Sequence, residues 1–201
     1  MSRETLSKLL LRVGAIRFGE FTYASGEKGP VYVDLRRLIS FPEDLRMLCK
    51  EMTKLLLERE KPELLLAAAT AGIPFGTLIS AESKIPMAYI RKDSKGYGTR
   101  SRLEGVWSKG QNAVLIDDLV TSGASKKLFV DGARDSGLNV DSLLVVLDRR
   151  KYGEQETLEK LGLRFHSLLS MDDLLRELEG DERVTQQDLL KTELWLKGEY
   201  E

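Results

Sequence analysis

The sequence predicts an α/β fold in which a mostly parallel β-sheet is flanked by helices. Apolar runs with the length of buried strands alternate along the chain with segments of helical periodicity. Strands that alternate with helices are typical of a parallel sheet covered on both faces. The chain has 201 residues, of which 42% are hydrophobic and 31% charged, so it is long enough for one domain with a substantial core.

The first 60 residues predict a small N-terminal unit followed by a long helix. An apolar stripe with helical spacing covers 6–13 and ends at Gly14. Residues 15–36 are predicted to form short strands around a glycine-containing turn. A second helix is predicted to begin at Pro42 and to extend to about Glu60.

The rest of the chain contains the alternating elements. The predicted strands are 64–69, 87–91, 113–117 and 143–148. Helices are predicted after Gly72, at 124–136 and near the C terminus, where Thr185 and Asp188 form a capping box. The polar interval 92–112 is too long for a tight connection, so we expect a mobile loop or an exposed hairpin there. The predicted domains are an N-terminal helix and hood (1–40), an α/β core (41–179) and a C-terminal helical extension (180–201).

Composition and charge exclude several classes of protein. A net charge of −1 gives no global attraction to nucleic acid or to a membrane surface, so any anion site must be local. No apolar run approaches the length of a membrane span, and the N terminus lacks the profile of a signal peptide. The single cysteine, Cys49, lies in a helical apolar stripe and is expected in the core. We expect a cytoplasmic protein with no nucleic-acid or membrane partner.

The most informative motif runs from Ala113 to Ser125. Two adjacent carboxylates, Asp117 and Asp118, follow an apolar run, and a turn rich in hydroxyls and glycine leads into a helix. Because side chains alternate between the faces of a strand, the two acids can act together only if the strand ends beside them. Backbone N–H groups, hydroxyls and the helix N terminus would then form a cradle for a phosphate dianion. Carboxylates beside such a cradle suit sugar hydroxyls, Mg²⁺ or a developing positive charge, so the motif predicts a site for a phosphorylated sugar.

Three other clusters follow predicted strands, at the edge of a parallel sheet where ligands collect. They are the small residues at 69–72, the cations Arg91, Lys92 and Lys95, and the pair Asp148 and Arg149. Each also has a simpler interpretation: close helix–sheet packing, a solvated loop and a surface patch, respectively. The lone histidine, His166, is expected to be structural rather than catalytic.

The stretch from Val114 to Ser125 resembles the phosphoribosyl pyrophosphate (PRPP) motif of type I phosphoribosyltransferases. Further segments narrow the resemblance to the orotate phosphoribosyltransferase family, namely 14–26, 30–36, 70–74, 91–98 and 147–149. The resemblance covers 5–178 and implies the type I phosphoribosyltransferase fold, with a small N-terminal hood. It implies transfer of ribose 5-phosphate from PRPP to N1 of orotate, with release of pyrophosphate, as a step of pyrimidine biosynthesis.

The resemblance also implies roles for individual residues. Asp117, Asp118 and Lys95 are the expected catalytic residues, and Thr121 and Arg149 are expected to recognise orotate. The pyrophosphate loop is expected at Thr70, Ala71 and Gly72. The residues expected to bind PRPP are Arg91, Lys92, Lys95, Tyr97, Asp117, Asp118, Leu119, Val120, Thr121, Ser122, Gly123, Ala124 and Ser125.

The expected cofactor is Mg²⁺, held mainly by substrate oxygens and water rather than by protein ligands. The expected assembly is a homodimer in which the basic loop contributes to the neighbouring active site. Many relatives have lysine where this chain has Ala24 and Ala71, and histidine where it has Tyr97. Each lost cation is expected to weaken substrate binding by about 1–3 kcal/mol. Two other functions stay open: transfer to another nucleobase, and a non-catalytic regulator that senses PRPP or a nucleotide.

Overall fold

The computed structural model describes residues 1–23, 26–92, 102–154 and 156–200. The helices within them are α1 (Arg3–Arg12), α2 (Pro42–Arg59), α3 (Gly72–Ser83), α4 (Ala124–Asp135), α5 (Glu156–Lys160), α6 (Met171–Leu178) and α7 (Gln186–Lys197), with a 3₁₀ helix at Leu35–Ser40. The strands are β1 (Ile16–Thr22), β2 (Lys28–Val33), β3 (Leu64–Ala68), β4 (Met87–Ile90), β5 (Leu103–Glu104), β6 (Asn112–Val120), β7 (Asn139–Asp148) and β8 (Arg164–Ser170).

Within the described ranges, six strands form one sheet in the order β5-β4-β3-β6-β7-β8. Every neighbouring pair is parallel except β4 and β5. Strand β6 lies at the centre between β3 and β7. The carboxyl ends of the parallel strands therefore meet at one edge, where open α/β sheets bind their ligands.

Helices cover both faces of this sheet, since the side chains of β3 enter two different cores in alternation. Leu65 joins the core on one face, whereas Leu64 and Leu66 join the core on the other, because successive strand residues point in opposite directions. Residues of α1, α2, α3, α6 and α7 complete the first core, and residues of α4 and α5 complete the second. The architecture confirms the predicted α/β class and its mostly parallel sheet.

The two ends of the chain lie together on the first face. The antiparallel pair β1–β2 contacts α7, and α1 contacts α6. An ion pair of 2.7 Å between Arg3 and Asp173 reinforces the second contact. The N-terminal hood and the C-terminal helix are consequently neighbours in space.

Most predicted elements are present, and the differences have physical causes. Strand β6 continues three residues beyond the predicted end at Asp117, because β7 supplies ladder partners as far as Asp148. The sequence interpretation missed α5, β8 and α6. Strand β8 is an edge strand whose residues are mostly half-buried, so it lacks the apolar run by which the inner strands were recognised. Strands β4 and β5 pair as the expected hairpin would, while 93–101 lies outside the described residues.

Two single residues behave as expected. Cys49 is buried in the core, and burial raises the pKa of its thiol to about 12. His166 forms a hydrogen bond of 2.7 Å with Glu60, which also pairs with Arg164. The histidine thus joins β8 to the C-terminal end of α2 and is structural. No helix in the described part of the chain is long and apolar enough to cross a membrane.

Adjacent leucines near the end of α2 provide a matched test of the core. Leu56 is 1% exposed and Leu57 is 54% exposed. Leu56→Ala should lower the free energy of unfolding by about 2–5 kcal/mol, because the cavity cost adds to the lost transfer free energy. Leu57→Ala should change it by less than about 0.5 kcal/mol. Urea unfolding measures both, and equal losses would contradict the assigned orientation of α2.

Candidate active site

Asp117 and Asp118 lie near the carboxyl end of β6 and leave the strand in different directions. Asp117 is 5% exposed and forms an ion pair with Lys126, at the start of α4. Asp118 is partly exposed and accepts a hydrogen bond of 2.8 Å from the backbone N–H of Leu119. Both carboxylates border one cleft, but only Asp117 has an ion-pair partner among the described residues. The continued strand therefore gives the two acids different surroundings.

Lys126 is a site residue that the sequence interpretation missed. Its side chain is buried, borders the cleft and neutralises Asp117. Lysine is rarely buried without a partner, so a lysine near the start of a helix is normally assigned to the surface. Its position directly after the hydroxyl-glycine turn was the available signal.

Burial raises the pKa of Asp118 to about 7, and the negative charge of Asp117 acts in the same direction. The ammonium group of Lys126 opposes both effects. Near neutral pH the Asp118 carboxyl is therefore poised between its two protonation states. A ligand that brings positive charge or hydroxyl donors to it would favour the ionised form.

The predicted phosphate turn lies between β6 and α4. Thr121 and Ser125 border the cleft, and Gly123 begins the helix with a φ of +80°. A Cβ at Gly123 would also lie 3.1 Å from the Thr157 side chain, so the position suits only glycine. Of the other predicted turn residues, Leu119 borders the cleft, Val120 is buried in the core, and Ser122 and Ala124 are exposed. The N terminus of a twelve-residue helix is thereby directed at the cleft.

The predicted pyrophosphate loop follows β3 on the opposite side of the cleft. Thr70 and Ala71 border the cleft, and the peptide bond between Ala69 and Thr70 is cis. Gly72 is packed against β6, where a Cβ would lie only 2.4 Å from the carbonyl oxygen of Ile116. Glycine at this position allows the loop to approach the strand that contains both aspartates.

One of the predicted basic residues and two residues that follow the hood strands also border the first cleft. Lys92 borders the cleft, whereas Arg91 forms an ion pair of 3.2 Å with Glu104 of β5. Lys95, Tyr97 and Ala24 lie outside the described residues. The sequence interpretation missed Asp34 and Arg36, which follow β2, pair with each other at 2.6 Å and border the cleft.

A second cavity adjoins the first. The first cleft has a volume of about 260 Å³ and the second a volume of about 550 Å³, and Thr121 borders both. Arg149, which follows β7, lies in the second cavity together with Tyr23 of the hood and Trp195 of α7. Its backbone N–H is bonded to the carbonyl of Val120 at 2.9 Å, which places it beside the phosphate turn. The first cleft and a cavity containing an arginine thus share one wall.

Groups of three or more potential metal ligands are absent from the described residues. The oxygens that border the first cleft belong to carboxylates and hydroxyls, which are the donor types that Mg²⁺ prefers. The site therefore fits a hard cation that enters with a phosphorylated ligand.

Comparison with known proteins shows the family to which this chain belongs. No protein-family model matches the chain. An orotate phosphoribosyltransferase of Ruegeria sp. is 34% identical over 198 residues, which are 95% of this chain and 88% of the relative. The chain belongs to the orotate phosphoribosyltransferase family. Membership confirms the fold class, the enzyme class and the function that the sequence motifs predicted.

Two solved structures resemble this member of the orotate phosphoribosyltransferase family. The UMP synthase of Leishmania donovani superposes with a TM-score of 0.88 at 31% identity, and 98% of this chain is covered. The chain spans 43% of the length of that protein. An orotate phosphoribosyltransferase of Mycobacterium tuberculosis, solved in complex with PRPP, has a TM-score of 0.69 at 27% identity, with 86% of this chain and 98% of that chain covered.

Gly72→Ala tests the close approach of the pyrophosphate loop to β6. The added Cβ would meet a backbone oxygen, so the loop must move away from the strand and PRPP binding should weaken at least about tenfold. Gly132→Ala, in the interior of α4, is the control, because the nearest atoms are the ends of the Arg102 and Ile90 side chains at 3.2 and 3.3 Å, which can shift. Calorimetric titration should therefore find that Gly72→Ala binds PRPP much more weakly than Gly132→Ala; equal affinities would contradict the argument.

The raised pKa of Asp118 predicts a pH-dependent gain of stability when its charge is removed. The wild-type protein loses stability as pH rises from about 4, the unfolded value, to about 7, because over that range the unfolded state has released the proton that the folded state still holds. Asp118→Asn should raise the melting temperature at about pH 8, by about 2–4 °C per kcal/mol relieved, and much less at about pH 4. Scanning calorimetry should find no gain at the higher pH for Asp131→Asn, because the surface carboxylate of Asp131 is paired with Lys127. A gain that is equal at both pH values would count against the assigned pKa.

Proposed function

We propose that this chain transfers the 5-phosphoribosyl group of PRPP to N1 of orotate, giving orotidine 5′-monophosphate (OMP) and pyrophosphate in pyrimidine biosynthesis. The observation that supports this most directly is the meeting of two cavities at Thr121. One cavity combines carboxylates with a phosphate turn, and the other presents an arginine. A phosphorylated sugar donor and a carboxylated base require such a pair of adjoining sites.

In this proposal the first cleft binds PRPP. The turn from Thr121 to Ser125 holds the 5′-phosphate at the N terminus of α4. Thr70, Ala71 and Gly72, with Lys92, face the pyrophosphate, and Arg91, Lys95 and Tyr97 of the basic segment assist them. Lys126 is a buried cation in the same cleft as Ala71, where the chain lacks the lysine of its relatives. The PRPP complex of the Mycobacterium tuberculosis relative supports this choice of donor.

The two aspartates have distinct roles in this mechanism. As the bond from C1′ to pyrophosphate breaks, positive charge develops on the ribose, and a nearby carboxylate stabilises it. Lys126 already neutralises Asp117, so Asp118 is the acid whose charge is available to the ribose. Its ionised form is needed, and the hydroxyls of the bound sugar favour that form by hydrogen bonding. Asp117 completes the binding of the ribose hydroxyls and orients Lys126.

The second cavity binds orotate. The planar guanidinium of Arg149 can donate two parallel hydrogen bonds to the orotate carboxylate. Thr121 lies between the two cavities and can bond to the base while it faces the ribose. A base without a carboxylate would leave buried donors of Arg149 unpaired, which disfavours uracil or a purine as acceptor.

Mg²⁺ is proposed to enter with PRPP, bound mainly by substrate oxygens and water. When bound, it neutralises the charge of the pyrophosphate leaving group. We also propose a cytoplasmic homodimer in which the basic loop that contains Lys95 contributes to the neighbouring active site. The proposed organisation is a hood (1–40), a PRPP-binding core (41–179) and a C-terminal extension (180–201). The hood and the extension both border the second cavity, which is called the base cavity below.

The alternatives have less support. A phosphoribosyltransferase for another base would have no use for an arginine with free donors beside the ribose site. A regulator that binds nucleic acid would need a positive balance of charge, and the net charge here is −1.

The decisive experiment follows the loss of orotate absorbance with PRPP and Mg²⁺, with uracil and hypoxanthine in parallel. Orotate should be consumed, and Asp118→Asn should reduce kcat by at least about a hundredfold because it removes charge stabilisation of the transition state. Asp131→Asn, on the exposed side of α4, should retain wild-type kcat. Turnover of another base without turnover of orotate would overturn the proposal, and a fully active Asp118→Asn would overturn the role of that carboxylate.

A further inference from the structure

Arg149 is enclosed between two aromatic rings from opposite ends of the chain. Its guanidinium carbon lies 4.5 Å from the ring centre of Tyr23 and 4.8 Å from that of Trp195. Cation–π contacts of this kind are strongest where water is excluded. The two rings hold the guanidinium at the wall of the second cavity, with Nε and Nη2 along one edge.

That edge has no acceptor within the described residues. Nε and Nη2 of Arg149 are both buried and both lack a hydrogen-bond partner there. Elsewhere in the chain the same two atoms bind carboxylates in pairs: Arg150 to Asp148 at 2.8 and 2.6 Å, and Arg183 to Asp181 at 2.9 and 2.7 Å. Buried donors without acceptors cost free energy, which a ligand carboxylate would recover. Nε and Nη2 are therefore the pair of donors that a ligand carboxylate would satisfy.

Trp195 is itself held in place by polar contacts. Its indole N–H donates to Glu27 at 3.1 Å, and Lys151 donates to the same carboxylate oxygen at 2.5 Å. The Lys151 ammonium also lies 4.9 Å from the Trp195 ring centre. The chain after β7 is bonded to α7 through the Tyr152 N–H and the Leu196 carbonyl, at 3.0 Å. Three of these contacts connect the C-terminal helix to the hood or to the segment that contains Arg149, and the fourth connects that segment to the hood.

Tyr23 is fixed in a comparable way. Its hydroxyl donates to the Val31 carbonyl at 2.7 Å, and its backbone N–H donates to the Glu27 carbonyl at 2.8 Å. Gly29 leaves room for the ring, because a Cβ there would lie 2.1 Å from the tyrosine oxygen. Both walls around Arg149 are therefore in place before any ligand enters.

We propose that Trp195 is a specificity-determining positioning residue: with Tyr23, it holds the Nε–Nη2 edge of Arg149 ready for the carboxylate of the base. The C-terminal extension is then a wall of the base cavity rather than a cap on the core. This inference rests on the proposed function for the identity of the carboxylate. Pre-organisation of this kind improves binding because the side chain loses little freedom when the ligand arrives.

The test compares the affinities for OMP and UMP, two nucleotides that differ only in the base carboxylate. Calorimetric titration should find that Trp195→Ala lowers the affinity for OMP about tenfold while that for UMP changes less than about twofold. In steady-state assays the KM for orotate should rise by a similar factor, with the KM for PRPP unchanged. Leu190→Ala, on the exposed side of α7, is the matched control and should leave all four values unchanged.

Trp195→Phe keeps a ring over Arg149 but loses the hydrogen bond to Glu27, so it should restore most of the preference for OMP. If Trp195→Ala fails to fold, Trp195→Leu, which removes the ring over Arg149 but keeps apolar bulk in the core, is measured in its place, and a reduced ratio of OMP affinity to UMP affinity supports the proposal. Equal weakening of OMP and UMP, or an unchanged ratio, would overturn it. A wild-type protein that prefers OMP but does not consume orotate would refute the proposed function while leaving this inference intact.

Discussion

The ion pair between Asp117 and Lys126 is the interaction on which the rest of the site depends. Two adjacent carboxylates near the end of a buried strand repel each other, and burial makes the repulsion stronger. Lys126 compensates one of them, and the other is left with a raised pKa at the wall of the cleft. Two neighbouring acids thereby acquire different surroundings: one is ion-paired, and the other has no ion-pair partner in the described structure.

Strand β6 explains why the parts of the site lie so close together. The pyrophosphate loop approaches it at Gly72, the phosphate turn leaves from its end, and the backbone of Arg149 is bonded to Val120 within it. Because β6 is at the centre of the sheet, its neighbours on both sides contribute their carboxyl ends to the same edge. Small shifts of this strand would therefore affect donor binding and base binding together.

The site stores unfavourable interactions that a ligand can relieve. Asp118 is destabilised in its charged form, and Arg149 has two buried donors without acceptors in the described structure. Each feature lowers the stability of the free protein, and each can be offset by a specific part of the proposed substrates, the ribose and the base carboxylate. At these positions, a substitution that raises the stability of the free protein is therefore expected to lower its activity.

The sequence alone was sufficient for the α/β class, the positions of the inner strands along the chain, the capping box at Thr185 and the family. Long apolar runs and hydroxyl-glycine turns are local patterns, so they can be recognised without a structure. Edge strand β8 and the burial of Lys126 could not be recognised in this way, because both depend on neighbours that are distant in sequence or on burial that composition does not record.

The second cavity, where the base is proposed to bind, also depends on tertiary structure. Tyr23, Arg149 and Trp195 are separated by more than forty residues at each step, and no local pattern relates them. They meet only because α7 packs against the hood while β7 ends beside the phosphate turn. The sequence by itself determined the family and predicted a site for a phosphorylated sugar at the end of β6. The fold alone placed a pre-oriented arginine next to it, because packing of the two chain ends creates that environment.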